Sequence, residues 1–230
     1  MSRFQCIAFD LDDTLLDTQR LLVPTAARES AQAMIDAGLD SDLARALAAR
    51  ESLFRENPRL PPYERMVARL GARPGADPEA VAEAGRRAFL GREVDPGIRP
   101  IPEAERLLGR LSAIYKLYLV TSGDSVTQMR KVEILGIAGR FKAVFAVDPS
   151  RGERKGQAFA SILRSTGLAP DACLSVGNRV DTDLAEAKDL GWKTCWVRQG
   201  EYVHLNPETP SERPDFRIDR IDELIAACGL

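Results

Sequence analysis

The chain has 230 residues, 44% hydrophobic and 29% charged. That composition excludes a mostly disordered polymer and suits one large domain, or one domain carrying an insert. Lys and Arg number 32 against 34 Asp and Glu, a net charge of −2, so no global positive field argues for a nucleic-acid partner. No apolar run approaches the roughly 18 residues of a membrane span. The residues after Met1 run straight into a strand-like stretch with no signal-peptide pattern, so a cytoplasmic location and no membrane partner are expected.

The first expected strand is Phe4–Phe9, an apolar run without the alternation of a half-exposed strand. From Thr18 to Asp95 only helix signals follow. Ala27, Ala31, Met34 and Ile35 share a face, with Gly38 behind them; Leu43, Ala46, Leu47 and Phe54 share a second. Tyr63, Met66, Val67 and Leu70 share a third, closed by Gly71. Asp77-Pro78 then reads as an N-cap with proline at the first helical position, opening a helix that carries Val81, Ala88 and Phe89. Beyond Pro96-Gly97 strands and helices alternate. Strands are expected at Leu117–Thr121, Ala143–Val147, Cys173–Val176, Thr194–Val197 and Phe216–Ile218. Helical stripes lie between them: Ala104, Leu107, Leu108 and Leu111; Val126, Met129 and Val132; Phe159, Ile162 and Leu163; Leu184, Ala187 and Leu190. The fold class is therefore α/β, a Rossmann-like parallel sheet flanked by helices (residues 1–17 and 96–230), with an inserted all-helical domain at 18–95.

Cys6, Cys173 and Cys195 sit in apolar strands, Cys228 lies near the C-terminus, and no CxxC pair occurs. Buried thiols are the expected state. The single histidine, His204, removes any two-His zinc site. Acid–base work then falls to carboxylates, and any metal should be hard and oxygen-liganded.

Ligand sites in open α/β sheets lie beyond the carboxyl ends of strands. The first strand ends in Asp10-Leu11-Asp12-Asp13, three acids that repel one another unless a cation joins them. The second ends in Thr121-Ser122-Gly123, a hydroxyl with backbone N–H donors suited to an oxyanion. Lys155 opens a helix, where the helix dipole disfavours a cation and a nearby anion would explain it; Arg151 and Arg154 compete for that role. The fourth expected strand runs into Gly177-Asn178, with Asp181 and Asp183 close behind. Taken singly, each group is also ordinary turn and cap chemistry.

Together, in this order and at these strand ends, they resemble the haloacid dehalogenase superfamily. Its four motifs match Asp10/Asp12, Thr121, Lys155, and Gly177-Asn178 with Asp183. The 111 residues from Asp10 to Thr121 leave room for the family's helical cap, as in its phosphoglycolate phosphatase-like and β-phosphoglucomutase-like branch. The resemblance implies a Mg²⁺-dependent phosphatase of a small phosphorylated metabolite, acting through an aspartyl-phosphate. Asp10 would be the nucleophile and Asp12 the general acid and base. Thr121, Ser122, Gly123 and Lys155 would bind the phosphoryl group. Mg²⁺ would lie on Asp10, Asp12 (through its carbonyl), Asn178 and Asp183. The family's usual acid after the glycine is Asn178 here, which implies weaker metal binding.

A phosphomutase, a dehalogenase and a binding module with a decayed site are the alternatives, and a monomer or a homodimer is equally compatible. The cap should select the substrate. Arg20, and less strongly Tyr63, are the candidates there; its other arginines are expected to pair with glutamates on a solvated face. Trp192 and Trp196 are expected to pack, and the tail beyond Val197 is assigned no catalytic part.

Overall fold

The computed structural model describes residues 4–230. The backbone divides into two compact units: one runs to Thr18 and resumes over Val94–Leu230, and the other is Gln19–Glu93.

The larger unit is built on β1 (Cys6–Phe9), whose four residues are all buried. The chain leaves it for the helical unit: α1 (Thr18–Leu21), α2 (Val23–Asp36), α3 (Leu43–Glu56), α4 (Tyr63–Leu70) and α5 (Pro78–Leu90). It returns through α6 (Pro102–Leu111), β2 (Lys116–Ser122), α7 (Ser125–Leu135), β3 (Ala143–Val147) and α8 (Lys155–Thr166). Then follow β4 (Cys173–Gly177), a wide π-helical turn at Val180–Leu184, α9 (Ala185–Lys188), β5 (Lys193–Val197), β6 (Phe216–Ile218) and α10 (Leu224–Cys228). The expected strands form with ends shifted by at most two residues.

All six strands are parallel, in the order β3-β2-β1-β4-β5-β6. The order runs outward from β1 in both directions. Connections therefore leave to opposite faces beside it, and a crevice opens at the carboxyl ends of β1 and β4. Parallel strands covered on both faces must be apolar throughout, which is why no alternation shows in the sequence. On one face Phe159 of α8 and Trp192, tilted with ring centroids 5.1 Å apart, pack with Cys6, Cys173 and Val120. All four cysteines are buried and free of disulfides, and both tryptophans are buried, as expected.

One helix turns a different face inward from the one its apolar residues suggested. On α7, Val126 and Met129 are 74% and 46% exposed. The buried residues are Gln128, Lys131, Val132 and Leu135, an i, i+3, i+4, i+7 stripe with two polar members. Hydrophobic periodicity picks the outer face here because two inward positions are polar.

The helical unit has its own core, with Ala31 and Met34 of α2, Ala46 and Leu53 of α3, Met66 of α4 and Val81 of α5. Asp42 caps α3, accepting from Arg45 N at 2.9 Å, and Asp77 caps α5, accepting from Glu79 N at 3.1 Å. Arg55, Arg69 and Arg86 pair with Glu51, Glu56 and Glu64 respectively. Tyr63 is buried in this core, edge-on to Phe89 at 6.5 Å. Its place is structural, which corrects its candidacy as a substrate contact. Arg20 is exposed on α1. Among the described residues no helix is long and apolar enough to cross a membrane.

The inverted face of α7 is directly testable. In urea unfolding, Val126→Ser should leave stability within about 0.5 kcal/mol of the parent, whereas Leu135→Ala should cost about 2–5 kcal/mol.

Candidate active site

Asp10 is the first residue past β1, and its amide donates to Val176 O of β4 at 2.9 Å, continuing the ladder by one step. Its carboxylate thus stands at the β1/β4 crevice. Lys155 Nζ donates to Asp10 Oδ1 at 2.6 Å and to Asp183 Oδ1 at 2.5 Å. Lys155 is only 3% exposed, so a buried ammonium sits between two buried carboxylates. Those anions explain a lysine at the N-terminus of α8, where the dipole alone would disfavour it. Its sequence neighbours are engaged elsewhere: Arg154 pairs with Glu186 at 3.1 Å and Arg151 with Asp148 at 3.5 Å.

Burial pushes the Asp10 carboxyl above the usual range against the pull of Lys155, and the nearby charges of Asp183 and Asp12 add to the rise. For Lys155 burial acts downward, but Asp10 and Asp183 outweigh it and hold the amine above its ordinary value. An ion pair in this setting needs its remaining oxygens satisfied. Thr14 Oγ1 donates to Asp10 Oδ2 at 3.3 Å, and Arg179 N donates to Asp183 Oδ2 at 2.9 Å. The π turn at Val180–Leu184 brings Asp183 back beneath Gly177, where a Cβ would overlap the Asp183 carboxylate. Only glycine fits there.

Asp12 has a separate set of partners. Lys131 Nζ donates to both carboxylate oxygens at 2.8 Å, Thr18 Oγ1 to Oδ1 at 2.6 Å, and Gln128 Nε2 to Oδ2 at 3.1 Å. Burial alone would raise Asp12; Lys131 and these donors overcome it and hold the carboxyl below its usual value. Asp13 turns away, with φ at +55°. Its Oδ2 accepts from Glu201 N at 3.2 Å.

Thr121 is fully buried at the end of β2, and its hydroxyl donates to Gln128 Oε1 at 3.0 Å. Ser122 follows at the strand end. Gly123 does not join the expected donors, because its amide is spent on Val147 O at 2.9 Å. Its part is conformational, since φ is +146° and a Cβ would meet the Gln128 side chain. Asp124 caps α7, accepting from Thr127 N at 2.8 Å.

Asn178 is buried beyond β4. Its Nδ2 donates to Gln199 O at 3.4 Å, and its backbone carbonyl accepts from Trp196 Nε1 at 3.0 Å. Gln199 Nε2 also donates to Asp13 O at 2.9 Å. The loop after β5 therefore ties the first and fourth motif segments together, a positioning part that the sequence reading did not give it. Asp181 is no free ligand: Arg179 grips its carboxylate at 2.6 and 3.0 Å and stacks over Tyr202 at 4.3 Å.

A divalent cation fits the chemistry of these donors. Among the described residues no three Asp, Glu, His or Cys side chains gather as a metal cluster. The groups that the sequence reading assigned to a metal are instead mixed hard oxygens: the Asp10 carboxylate, the Asp12 carbonyl and the Asn178 amide. Such a set suits Mg²⁺ in type. The Asn178 NH₂ donates to Gln199 O, so its amide oxygen is the atom that a cation would meet. Asp183 has both oxygens engaged, with Lys155 and with the Arg179 amide.

Of the residues singled out from sequence, the structure brings Asp10, Lys155 and Asp183 into one ion cluster. It links Asp12 to Thr121 through Gln128. The sequence reading missed Gln128 and Lys131, whose one signal was polar residues three apart on a helical stripe continued by Val132 and Leu135.

Residues 4–191 match the model of the haloacid dehalogenase-like hydrolases. The chain belongs to that family. A glyceraldehyde 3-phosphate phosphatase of Methanopyrus kandleri is 32% identical, over 96% of this chain and 95% of that one. A phosphoserine phosphatase of Thermus thermophilus is 30% identical, over 97% and 99%. The HAD-hydrolase YfnB of Bacillus subtilis, solved bound to magnesium, shares the fold at a TM-score of 0.68 and 20% identity, covering 97% of this chain and 98% of that one. The expectation of a phosphatase agrees with the names of these relatives.

Gly200 has φ at +79°, and a Cβ there would overlap the Asp13 carboxylate. Gly200→Ala should cost at least about 1–3 kcal/mol in urea unfolding and lower any phosphatase activity with it. An unchanged midpoint would show that the clamp on Asp13 is dispensable.

Proposed function

We propose that this chain is a Mg²⁺-dependent phosphatase of a small phosphorylated metabolite, with Asp10 as the nucleophile. The observation that carries the reading is the buried Lys155 ammonium at 2.6 Å from Asp10, at the carboxyl end of β1. A carboxylate attacking a phosphate dianion meets two repulsive unit charges, on the order of 8 kcal/mol at about 4 Å and an effective dielectric near 20. A neighbouring cation is what that attack requires, and phosphoryl transfer asks a protein chiefly for positioning and charge neutralisation.

In this reading an Asp10 oxygen bonds to phosphorus while the bond to the leaving oxygen breaks. Asp12, in its acid form, gives that oxygen a proton. Water then attacks phosphorus, Asp12 takes the water's proton, and the Asp10–phosphate bond breaks to release inorganic phosphate. Splitting the displacement in two lowers each barrier. Thr121 Oγ1 and Ser122 N–H bind phosphoryl oxygens, and Lys155 balances their charge. The Asp10 carboxylate, the Asp12 carbonyl and the side chains of Asn178 and Asp183 would hold Mg²⁺, which supplies positive charge to the nucleophile and the phosphoryl group. The relatives' names, glyceraldehyde 3-phosphate phosphatase and phosphoserine phosphatase, support a short-chain phosphate monoester as substrate.

Free phosphate released from a panel of small phosphate monoesters, with Mg²⁺ and with EDTA, tests this. Turnover should need the metal, and Asp10→Asn should lower it at least about a thousandfold. An isomerised sugar phosphate or a halide as the only product would overturn the assignment.

Metal binding has two further consequences. Mg²⁺ at about a hundred times its Kd should stabilise the parent by about 2.7 kcal/mol, and Asp10→Asn by less, in thermal unfolding. Asn178→Asp should lower the Mg²⁺ concentration for half-activation about tenfold, equivalent to about 1.4 kcal/mol. Without metal the same variant should be less stable, since a carboxylate oxygen then faces the Gln199 carbonyl.

A further inference from the structure

The geometry points to Glu186 of α9 as a positioning residue for Lys155, holding the first turn of α8 on either side of it. What this does for turnover rests on the proposed part of Lys155 in the reaction. Glu186 Oε2 accepts the Gly156 amide at 2.6 Å, and its Oε1 accepts Arg154 Nε and Nη2 at 3.3 and 3.1 Å. Lys155 lies between those two residues. The first N–H groups of a helix have no partner within it, and Glu186 supplies one to α8 from outside. Its carboxylate also puts negative charge where the helix dipole favours it, beside a lysine that the same dipole disfavours. The Glu186 side chain is 11% exposed and that of Arg154 71%, so the bond to the amide is the sheltered one.

Gly156 is fitted to this contact. A Cβ there would lie 3.3 Å from Glu186 Oε2 and 3.6 Å from Glu186 Cβ. Glycine is disfavoured in a helix against alanine, and the close approach of the carboxylate to the amide accounts for its presence. The same short stretch grips α8 twice. Asp183 and Glu186 lie three positions apart, where the π turn passes into α9. Asp183 takes the Lys155 ammonium, and Glu186 takes the amide of the next residue. A lysine has a long, flexible stem, so the place of its ammonium depends on the backbone that carries it. Holding residues 154 and 156 fixes the root of the stem whose end meets Asp10 at 2.6 Å. Glu186 thus acts through Lys155.

The test pairs ¹⁵N NMR of the lysine ammonium groups with turnover of a small phosphate monoester in Mg²⁺. The Lys155 signal is assigned by its loss in Lys155→Arg, and it reports the folded molecules alone. In the parent its protons should exchange slowly with water. In Glu186→Ala they should exchange about tenfold faster or more, as expected for loss of a hydrogen bond to a charged group. The same variant should lower kcat about 10- to 100-fold, the scale of a small misplacement near the reacting atoms. Glu186→Gln keeps an oxygen for the Gly156 amide and loses the charge, so it should hold parental exchange and a kcat within about threefold of the parent. Glu186→Asp keeps the charge but draws the oxygens back by one methylene. It should share the Glu186→Ala defects to a smaller degree, and it serves as the second variant if Glu186→Ala does not fold.

Parental exchange at Lys155 in both Glu186→Ala and Glu186→Asp would overturn the inference. So would fast exchange in the parent, a Gln variant as impaired as the Ala variant, or altered exchange with unchanged kcat. No phosphate release by the parent from any monoester would end the phosphatase reading, and the turnover part of this inference with it. The ammonium signal decides separately whether Glu186 holds Lys155.

Discussion

Three carboxylates in four residues, at the buried end of a central strand, set the constraint that the rest of this site answers. Left together in low dielectric they would repel by several kcal/mol per pair. The fold separates them by giving each its own partner. Asp10 takes Lys155, Asp12 takes Lys131, and Asp13 swings to positive φ and accepts a backbone N–H from the loop after β5. Two lysines from two different helices thus pair with two of the three acids. Asp10 is pushed up by burial, and Asp12 is held down by its donors.

The sheet order makes this possible. With β1 flanked by β2 and β4, the residue past β1 has a strand end on each side. One delivers Thr121 and the other Asn178 and Asp183. The helix after β2 turns Gln128 and Lys131 toward Asp12, and α8, after β3, opens with Lys155. The loop after β5, which carries no proposed reacting group, closes the arrangement through Gln199, Gly200 and Glu201.

Asn178 shows how one position is fitted to its surroundings. Its NH₂ needs an acceptor and finds the Gln199 carbonyl, which a carboxylate would repel. The charge missing there is not made up by Asp181, which is bound by Arg179. Asp183 carries negative charge close to Asp10, but it is already shared with Lys155.

The sequence by itself determined the parallel sheet, because strands buried on both faces must be apolar runs. It also determined the helical stretch between the first two strands, and it singled out Asp10, Asp12, Thr121, Lys155, Asn178 and Asp183 as the proposed site, because their order at strand ends is a linear property. Four things were decided only by tertiary structure: which face of α7 is inward, that Gly123 has no amide to offer, that Tyr63 is core, and that Lys131 and Gln128 meet Asp12. A polar side chain turned inward is stabilised by a partner more than a hundred residues away in the chain, and no local periodicity records that partner. The hydrophobic pattern along α7 reported where apolar atoms occur; the hydrogen-bonding needs of a buried carboxylate determined where the helix points.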